Sequence, residues 1–128
     1  MGAPAAFPDL KVQDILTMNN TNTNGTMFVT YSVLNRFMRA RDSGTILNIT
    51  SITGLEVPPF PGEAVYHANK AAQEAFTNAL RNELTGTNIR VLALRPGCVA
   101  TNFHLLRVGN DRDKYQKFFD GFEYVGLD

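Results

Sequence analysis

Tyr66 and Lys70 stand four residues apart in the stretch AVYHANKAA, residues 64–72. A helix over this stretch places both side chains on one face. A phenol ionises with a pKa near 10, and an ammonium group beside it stabilises the phenolate and lowers that pKa. The pair therefore indicates proton exchange with the oxygen of an alcohol or a ketone, which typically contributes about 10² to 10⁴ in rate. The alternative is a surface tyrosine beside a solvated lysine, and the spacing taken alone favours that alternative.

A third candidate is Ser51, which directly follows the apolar run ILNIT, residues 46–50. At the carboxyl end of a strand, its hydroxyl could hold a carbonyl oxygen against the Tyr66 phenol. A serine in an ordinary turn is the alternative, and taken alone it is the commoner case. The three side chains can form one site only if the fold brings the strand end against the helix.

Composition argues against several other kinds of site. The 128-residue chain is 44% apolar and 19% charged, which is enough for one modest domain with a core. Its twelve basic and twelve acidic side chains cancel, so nucleic acid and anionic membrane surfaces are not expected partners. A single cysteine, Cys98, and two separated histidines, His67 and His104, make no metal-ligand cluster, and no metal is expected. Without a long apolar run or a signal-peptide pattern, we expect a cytoplasmic protein.

Two long helices are expected from apolar residues at helical spacing. The first runs from Thr26 to about Arg41, and the second runs from about Ala64 to Leu84 and carries the candidate pair. The packing face of the second helix is predicted to consist of Val65, Ala68, Ala72, Ala75, Phe76, Ala79 and Leu80. Upstream, Asp9 is a candidate cap for a short helix ending near Met18, and the following NNTNTNG is typical of a turn.

The segments TILNITS, residues 45–51, and IRVLALRPG, residues 89–97, are near-continuously apolar and predict buried parallel strands. A proline-rich loop, residues 54–64, follows the first strand, and residues 110–121 can hold a short amphipathic helix. Helices and strands that alternate in this way are typical of an α/β protein with a parallel sheet. Ligands of such sheets bind beyond the carboxyl ends of the strands, here Thr50 to Gly54 and Pro96 to Thr101.

Four motifs in one order complete the pattern: NTNG at residues 22–25, ILNITSITG at 46–54, YHANK at 66–70 and RPGCVAT at 95–101. Together they resemble the core of the short-chain dehydrogenase/reductase superfamily, classical type, over essentially the whole chain. Residues 87–108, with FFDGFEY after them, are similar to NADP-dependent hydroxy-acid and serine dehydrogenases. The resemblance implies an oxidoreductase that interconverts a secondary alcohol or short hydroxy acid and its ketone, with hydride transfer to or from NADP or NAD.

The resemblance also implies a role for each matching residue. Tyr66 would be the general acid and base, and Lys70 would lower its pKa and hold the nicotinamide ribose hydroxyls. Ser51 would orient and polarise the carbonyl, and Asn22 would sit beside a water that links Lys70 to bulk solvent. The nicotinamide end of the cofactor would be lined by Pro96, Gly97, Val99 and Thr101.

Two departures from the family pattern matter. The loop between Ser51 and Tyr66 looks about two residues longer than is usual. The sequence also has no Gly-x-x-x-Gly-x-Gly turn, which in the family receives the cofactor diphosphate at a helix N-terminus. We therefore expect one partial catalytic domain, residues 1–128, with a partial Rossmann-like, doubly wound parallel sheet that lacks the N-terminal nucleotide-binding half. Such a fragment should expose strand edges and an apolar sheet face.

Two functional hypotheses stay open. The first is the oxidoreductase, acting on something small and partly apolar in a pocket shaped by residues 54–62 and 102–110. The second is a truncated, non-catalytic interaction module that keeps the two long helices as an association face, with a homo-oligomer as its expected form. The choice between NADP and NAD is not decided by this sequence, because the residues that read the ribose 2′ position belong to the missing half.

Overall fold

The structure, a computed structural model, describes residues 5–57, 62–99, 101–107 and 110–120. Two parallel strands, β1 (Gly44–Ile49) and β2 (Ile89–Leu94), form its sheet. The helices in chain order are α1 (Val12–Met18), α2 (Gly25–Val33), α3 (Arg39–Arg41), α4 (Ala64–Glu83), α5 (Asn102–Arg107) and α6 (Arg112–Phe119). The predicted α/β order is confirmed, and α6 is the expected short amphipathic helix, whereas α5 was not predicted.

The sheet packs against helix α4 through one of its faces. Gly44 pairs with Ile89 and Ile49 pairs with Leu94, so both strands end at the same edge. Ile46, Ile89 and Val91 are buried with Met38 and Leu80 in the main core cluster. On the other face, Leu47, Ile49, Leu92 and Leu94 are each about half exposed. The sequence predicted buried parallel strands and an exposed apolar sheet face. In the described part of the chain one face of the sheet is buried, and the other is the expected open apolar face.

Residues 12–41 form one uninterrupted helical run, which includes the segment predicted as a turn. Between α1 and α2, residues Asn19–Asn24 form a π turn in which the Gly25 N–H bonds to the Asn20 carbonyl. Asparagine and threonine are poor helix formers because their side chains compete for backbone hydrogen bonds. Here those groups bond to helix α4 instead, since Thr23 Oγ1 donates to Asn69 Oδ1 at 2.6 Å. The turn prediction is therefore wrong, because the residue that stabilises the helical form, Asn69, lies 46 residues after Thr23 in the chain.

The remaining expectations for the helical run were partly met. The helix predicted from Thr26 to Arg41 is present, with a second π turn at Leu34–Met38 between α2 and α3. Asp9 does not cap α1, because it lies in a 3₁₀ turn, Phe7–Asp9, and α1 begins after Lys11. Among the described helices, none is long and apolar enough to cross a membrane.

Helix α4 has the predicted length but buries a different face. Val65 and Leu80 are buried as predicted, whereas Ala68, Ala75 and Ala79 are exposed. The buried side chains between them form a polar stripe: Asn69, Lys70, Gln73, Glu74 and Thr77. Buried polar groups are tolerated when they are hydrogen-bonded, and each member of this stripe bonds to a neighbouring element or to another member. The polar stripe of α4 thus contacts both the sheet and the first π turn, beside the apolar contact that Leu80 makes with the strands.

Candidate active site

Tyr66 and Lys70 occupy the first two turns of α4, and the structure brings them together as the spacing predicts. The Lys70 ammonium lies over the Tyr66 ring, with Nζ 5.7 Å from the ring centroid. At this distance the cation is attracted to the face of the ring. The Lys70 side chain is also buried, with 9% of the residue exposed, so it is not the solvated lysine of the alternative interpretation.

Two acceptors hold the Lys70 ammonium. Nζ donates to the backbone oxygen of Ile49, the last residue of β1, at 3.0 Å, and to Gln73 Oε1, also at 3.0 Å. Burial lowers the pKa of Lys70, because it disfavours the charged form. An ammonium has three N–H donors, and the described residues use two of them. The third is available to a hydroxyl group of a ligand, such as those of a ribose.

Ser51 lies against Tyr66, as the candidate site requires. The Ser51 residue is 9% exposed and comes directly after Thr50 at the carboxyl end of β1. Burial raises the pKa of the Tyr66 phenol above its usual value of 10, and the hydrogen-bonding side chain of Ser51 acts in the opposite direction. The sequence predicted that Lys70 would lower this pKa. Burial of the phenol outweighs the favourable contact with Ser51, and the contribution of Lys70 stays a prediction.

The segment after Ser51 is fastened to helix α4 by close contacts. Ser51 Oγ accepts hydrogen bonds from the Thr53 N–H at 3.2 Å and from Thr53 Oγ1 at 2.9 Å. The His67 ring is hydrogen-bonded to the Thr53 carbonyl. Gly54 packs directly on α4, since a Cβ built on it would lie 2.8 Å from the Lys70 carbonyl oxygen. These contacts fix the strand end that carries Ser51 relative to the helix that carries Tyr66.

Asn22 reaches the site through its backbone. Its carbonyl oxygen accepts hydrogen bonds from Thr26 Oγ1 at 2.7 Å and from Gln73 Nε2 at 2.6 Å, and Gln73 in turn accepts from Lys70. The Asn22 side-chain nitrogen is buried and bonds to none of the described residues. The structure therefore links Asn22 to Lys70, and the water expected beside Asn22 stays a prediction.

The residues expected to line the nicotinamide end of the cofactor follow β2. The Pro96 carbonyl accepts from the Ile52 N–H at 3.1 Å, so this segment begins beside the one that carries Ser51. Gly97 is exposed, and a Cβ on it would meet nothing within 4 Å. Val99 accepts from the Thr101 N–H at 2.9 Å. Their placement at the carboxyl edge of the sheet agrees with the expected role, and the role itself stays a prediction.

Two groups that position the site, Gln73 and Glu74, were not predicted from the sequence. Gln73 lies one helical turn after Lys70, and its polar side chain on the same helix face was the available signal. Glu74 accepts from Arg95 Nε at 3.0 Å, which ties the middle of α4 to the end of β2. This contact with Arg95 lowers the pKa of Glu74. The expected pocket segments, 54–62 and 102–110, include residues 58–61 and 108–109, which lie outside the described part, so the pocket stays a prediction.

The donors at this edge fit the nicotinamide end of a cofactor. The Tyr66 hydroxyl and the third N–H of Lys70 are the kinds of group that hold ribose hydroxyls, and they lie where ligands of parallel sheets bind. The diphosphate end has no matching glycine-rich turn in this sequence.

Comparison with known proteins decides the family. A profile described as short chain dehydrogenase matches residues 1–107. The chain belongs to the short-chain dehydrogenase family. The resemblance inferred from the four sequence motifs is thereby confirmed.

Several relatives within the short-chain dehydrogenase family are longer than this chain. The NADP-dependent 3-hydroxy acid dehydrogenase of Schizosaccharomyces pombe is 38% identical over 115 residues, which cover 90% of this chain and 43% of the relative. Sulfoacetaldehyde reductase 2 of Chromohalobacter salexigens is 38% identical over 110 residues, 86% of this chain and 43% of the relative. Serine dehydrogenase in its closed form with NADP+ superposes with a TM-score of 0.83 and 34% identity, over 95% of this chain and 48% of that one. The chain spans less than half the length of these relatives, and its fold superposes on part of the serine dehydrogenase structure.

Proposed function

We propose that this chain carries the proton-transfer site of an NADP-dependent oxidoreductase that interconverts a secondary alcohol or short hydroxy acid and its ketone. The observation that supports this function best is the grouping of Ser51, Tyr66 and Lys70 at the carboxyl edge of the sheet. A phenol, a hydroxyl and a buried ammonium in contact there are suited to hold a carbonyl oxygen and exchange a proton with it.

In the direction of ketone reduction, Tyr66 donates the proton to the carbonyl oxygen. Its pKa is raised by burial, so the phenol carries its proton at neutral pH. The Ser51 hydroxyl orients the same oxygen, and Lys70 balances the negative charge that develops on Tyr66 as the proton leaves. A nicotinamide cofactor, when bound, supplies or accepts the hydride.

In the direction of alcohol oxidation, Tyr66 must accept a proton and therefore must be ionised. Because burial raises its pKa, the ionised fraction at neutral pH is small and increases as pH rises towards that pKa. The oxidation rate is thus expected to increase with pH through the alkaline range. The reduction rate is expected to fall over the same range.

NADP is proposed as the cofactor on the basis of the relatives. The Schizosaccharomyces pombe relative is named NADP-dependent, and serine dehydrogenase was solved with NADP+. The residues proposed to hold the nicotinamide end are Tyr66, Lys70, Pro96, Gly97, Val99 and Thr101. A cofactor held at this end alone loses the interactions of its diphosphate, so we expect roughly millimolar affinity, about −4 kcal/mol.

The binding experiment titrates NADPH into the whole chain and follows its fluorescence, together with the line widths of its nicotinamide and adenine protons in NMR spectra. We expect broadening that is stronger for the nicotinamide protons. The Lys70→Met variant should lose it, and Lys117→Met, which removes an exposed lysine, should keep it. If millimolar NADPH shows no interaction with the unaltered chain, the proposed function fails for this polypeptide.

The catalytic experiment compares two tyrosines. Tyr66→Phe keeps the ring and removes the hydroxyl that donates the proton, so reduction of a short keto acid by NADPH should fall by about 10² to 10⁴. Cofactor binding should weaken by about tenfold at most, because only one hydrogen bond to the ribose is lost. Tyr31→Phe is the matched control, because Tyr31 is 71% exposed on α2 and should leave the rate unchanged. Equal rates for Tyr66→Phe and the unaltered chain would show that the phenol is not the proton donor.

A second candidate function is self-association through the two long helices. An apolar groove of about 540 Å³ runs between α2 and α4, and its lining includes Phe28 and Tyr31, which are 68% and 71% exposed. A homo-oligomer would cover these rings. Sedimentation analysis of the unaltered chain should show a dimer that Phe28→Lys dissociates. Phe7→Lys should leave the dimer intact, because Phe7 is also exposed, at 56%, but lies outside the groove. A monomer at all concentrations would contradict this candidate function.

A further inference from the structure

Gln73 connects Lys70 to the first helical run of the chain. Its side-chain oxygen accepts from Lys70 Nζ at 3.0 Å. Its side-chain nitrogen donates to the Asn22 carbonyl at 2.6 Å and to Thr26 Oγ1 at 2.8 Å. Gln73 is 7% exposed, so all three hydrogen bonds form away from bulk solvent. One carboxamide therefore joins Lys70 to two residues of the first helical run.

The groups around Gln73 allow only one orientation of its amide. The Lys70 ammonium can only donate hydrogen bonds, and the Asn22 carbonyl can only accept them. Rotating the amide by half a turn would place its NH₂ against the ammonium and its oxygen against the carbonyl, which are both repulsive pairings. Glutamate could satisfy Lys70 but could not donate to Asn22, and leucine could do neither. The arrangement thus requires an amide of this length.

We propose that Gln73 is a positioning residue of the site, which holds the Lys70 ammonium next to Tyr66 by tying it to the backbone of Asn22. This inference rests on the proposed function, because holding Lys70 affects catalysis only if Lys70 balances the charge on Tyr66 and binds the cofactor. Two fixed acceptors, Ile49 and Gln73, prevent the flexible lysine side chain from turning into solvent. Preorganised charges of this kind stabilise charge that develops during a reaction without first having to reorient.

The inference predicts how Lys70 titrates. In Gln73→Leu, the buried ammonium loses one of its two acceptors, and a hydrogen bond to a charged group is strong enough that the pKa of Lys70 should fall further, by about one to two units. In Gln73→Glu, a carboxylate faces the ammonium and the pKa of Lys70 should rise above that of the unaltered chain. A role for Gln73 in packing alone would not produce shifts of opposite sign.

The experiment labels the lysines of the whole chain with ¹³C and ¹⁵N and follows each side chain by NMR as pH is raised. Lys117 serves as an internal reference, and Gln13→Leu is the matched control, because Gln13 is exposed on α1. Opposite shifts of the Lys70 pKa in the two Gln73 variants, with none in Gln13→Leu, support the inference. An unchanged titration of Lys70 in folded Gln73→Leu overturns it.

A second measurement needs no substitution and covers the case in which Gln73→Leu does not fold. Protons of the Lys70 ammonium in the unaltered chain should exchange with water roughly tenfold more slowly than those of exposed Lys117. Equal exchange rates overturn the inference. The NADPH titration is separate: if Lys70 titrates as expected and NADPH does not bind, the proposed function fails while the role of Gln73 in holding Lys70 stands.

Discussion

Thr77 offers the sharpest test of the polar stripe that holds helix α4 on the sheet. Thr77 is fully buried, and its hydroxyl makes two hydrogen bonds. It accepts from Asn48 Nδ2 on β1 at 2.8 Å and donates to the Gln73 carbonyl at 2.7 Å. Thr77→Val preserves the shape of the side chain and removes both bonds. Because Asn48 is only 8% exposed, its amide then loses this partner without gaining access to water.

The expected cost follows from the burial. An unsatisfied buried donor costs about 1–3 kcal/mol, whereas the Gln73 carbonyl keeps its position in the helix and loses little. Thr77→Ser keeps the hydroxyl and removes one buried methyl group, which costs about 0.8 kcal/mol. Thr77→Val should therefore be the more damaging change, although it removes no carbon atom. Replacing Asn48 by leucine in the Thr77→Val background should recover part of the loss, because no donor is then left unsatisfied.

The assay is urea unfolding at pH 7. With a slope of about 1–3 kcal/mol per molar urea, a loss of about 2 kcal/mol lowers the midpoint by roughly 1 M. Thr17→Val is the matched control, because the Thr17 hydroxyl also donates to the carbonyl four residues earlier, but on the exposed side of α1. We expect it to change stability by less than about 0.5 kcal/mol. Equal midpoints for Thr17→Val and Thr77→Val, or a larger loss for Thr77→Ser, would refute the reasoning.

Three further predictions concern the same region. Gly54→Ala should cost about 1–3 kcal/mol in urea unfolding, because the new Cβ would lie 2.8 Å from the Lys70 carbonyl, whereas Gly97→Ala, with open space around it, should be tolerated. The pKa of Glu74 is lowered by Arg95, so its stabilising contribution is present above the unfolded value of about 4.5 and is lost as pH falls through the folded value. Glu74→Gln should therefore flatten the acid branch of the stability curve, and an unchanged branch would contradict this. Burial lowers the pKa of Lys70, so the charged side chain reduces the stability of the fold at every pH below the folded-state pKa. This cost disappears as pH rises above the unfolded value of 10.5. Lys70→Met should thus unfold at an equal or higher urea concentration at pH 7, and a large loss of stability would show that the ammonium is held for the fold.

Much of the fold follows from local patterns, and the failures have specific causes. Helix α4 was predicted to within one residue because its apolar periodicity is long and turn residues follow it. Both strands were predicted from their continuous apolar runs, but they end two and three residues earlier than expected, at Ile49 and Leu94. The π turn at 19–24 was not predicted, since the hydrogen bonds that stabilise it come from Asn69 and Gln73 on a distant helix. Helix propensity, which depends only on the local sequence, does not include hydrogen bonds to such distant residues.

The candidate site, like the fold, was predictable from the sequence only in part. The spacing of Tyr66 and Lys70 and the position of Ser51 at a strand end were visible in the sequence, and the structure brings all three together. The direction of the Tyr66 pKa was not predictable, because it depends on how deeply the phenol is buried. The role of Gln73 was not predicted for a related reason. A glutamine on a helix usually faces solvent, and only the neighbouring elements of the fold show that this one is buried.

The π turn before α2 gives the helical run one place that tolerates a change in length. A π turn accommodates one residue more than the α-helix around it, so a single-residue deletion within 19–24 would restore regular α-helix and leave the helix on either side close to its present phase. A deletion within α2 has no such extra residue to remove. Each residue of an α-helix advances the rotation by about 100°, so everything upstream would then turn by that angle relative to α4. Met18, which packs on Val65, would face elsewhere, and α1 would separate from the helix that carries the reactive groups.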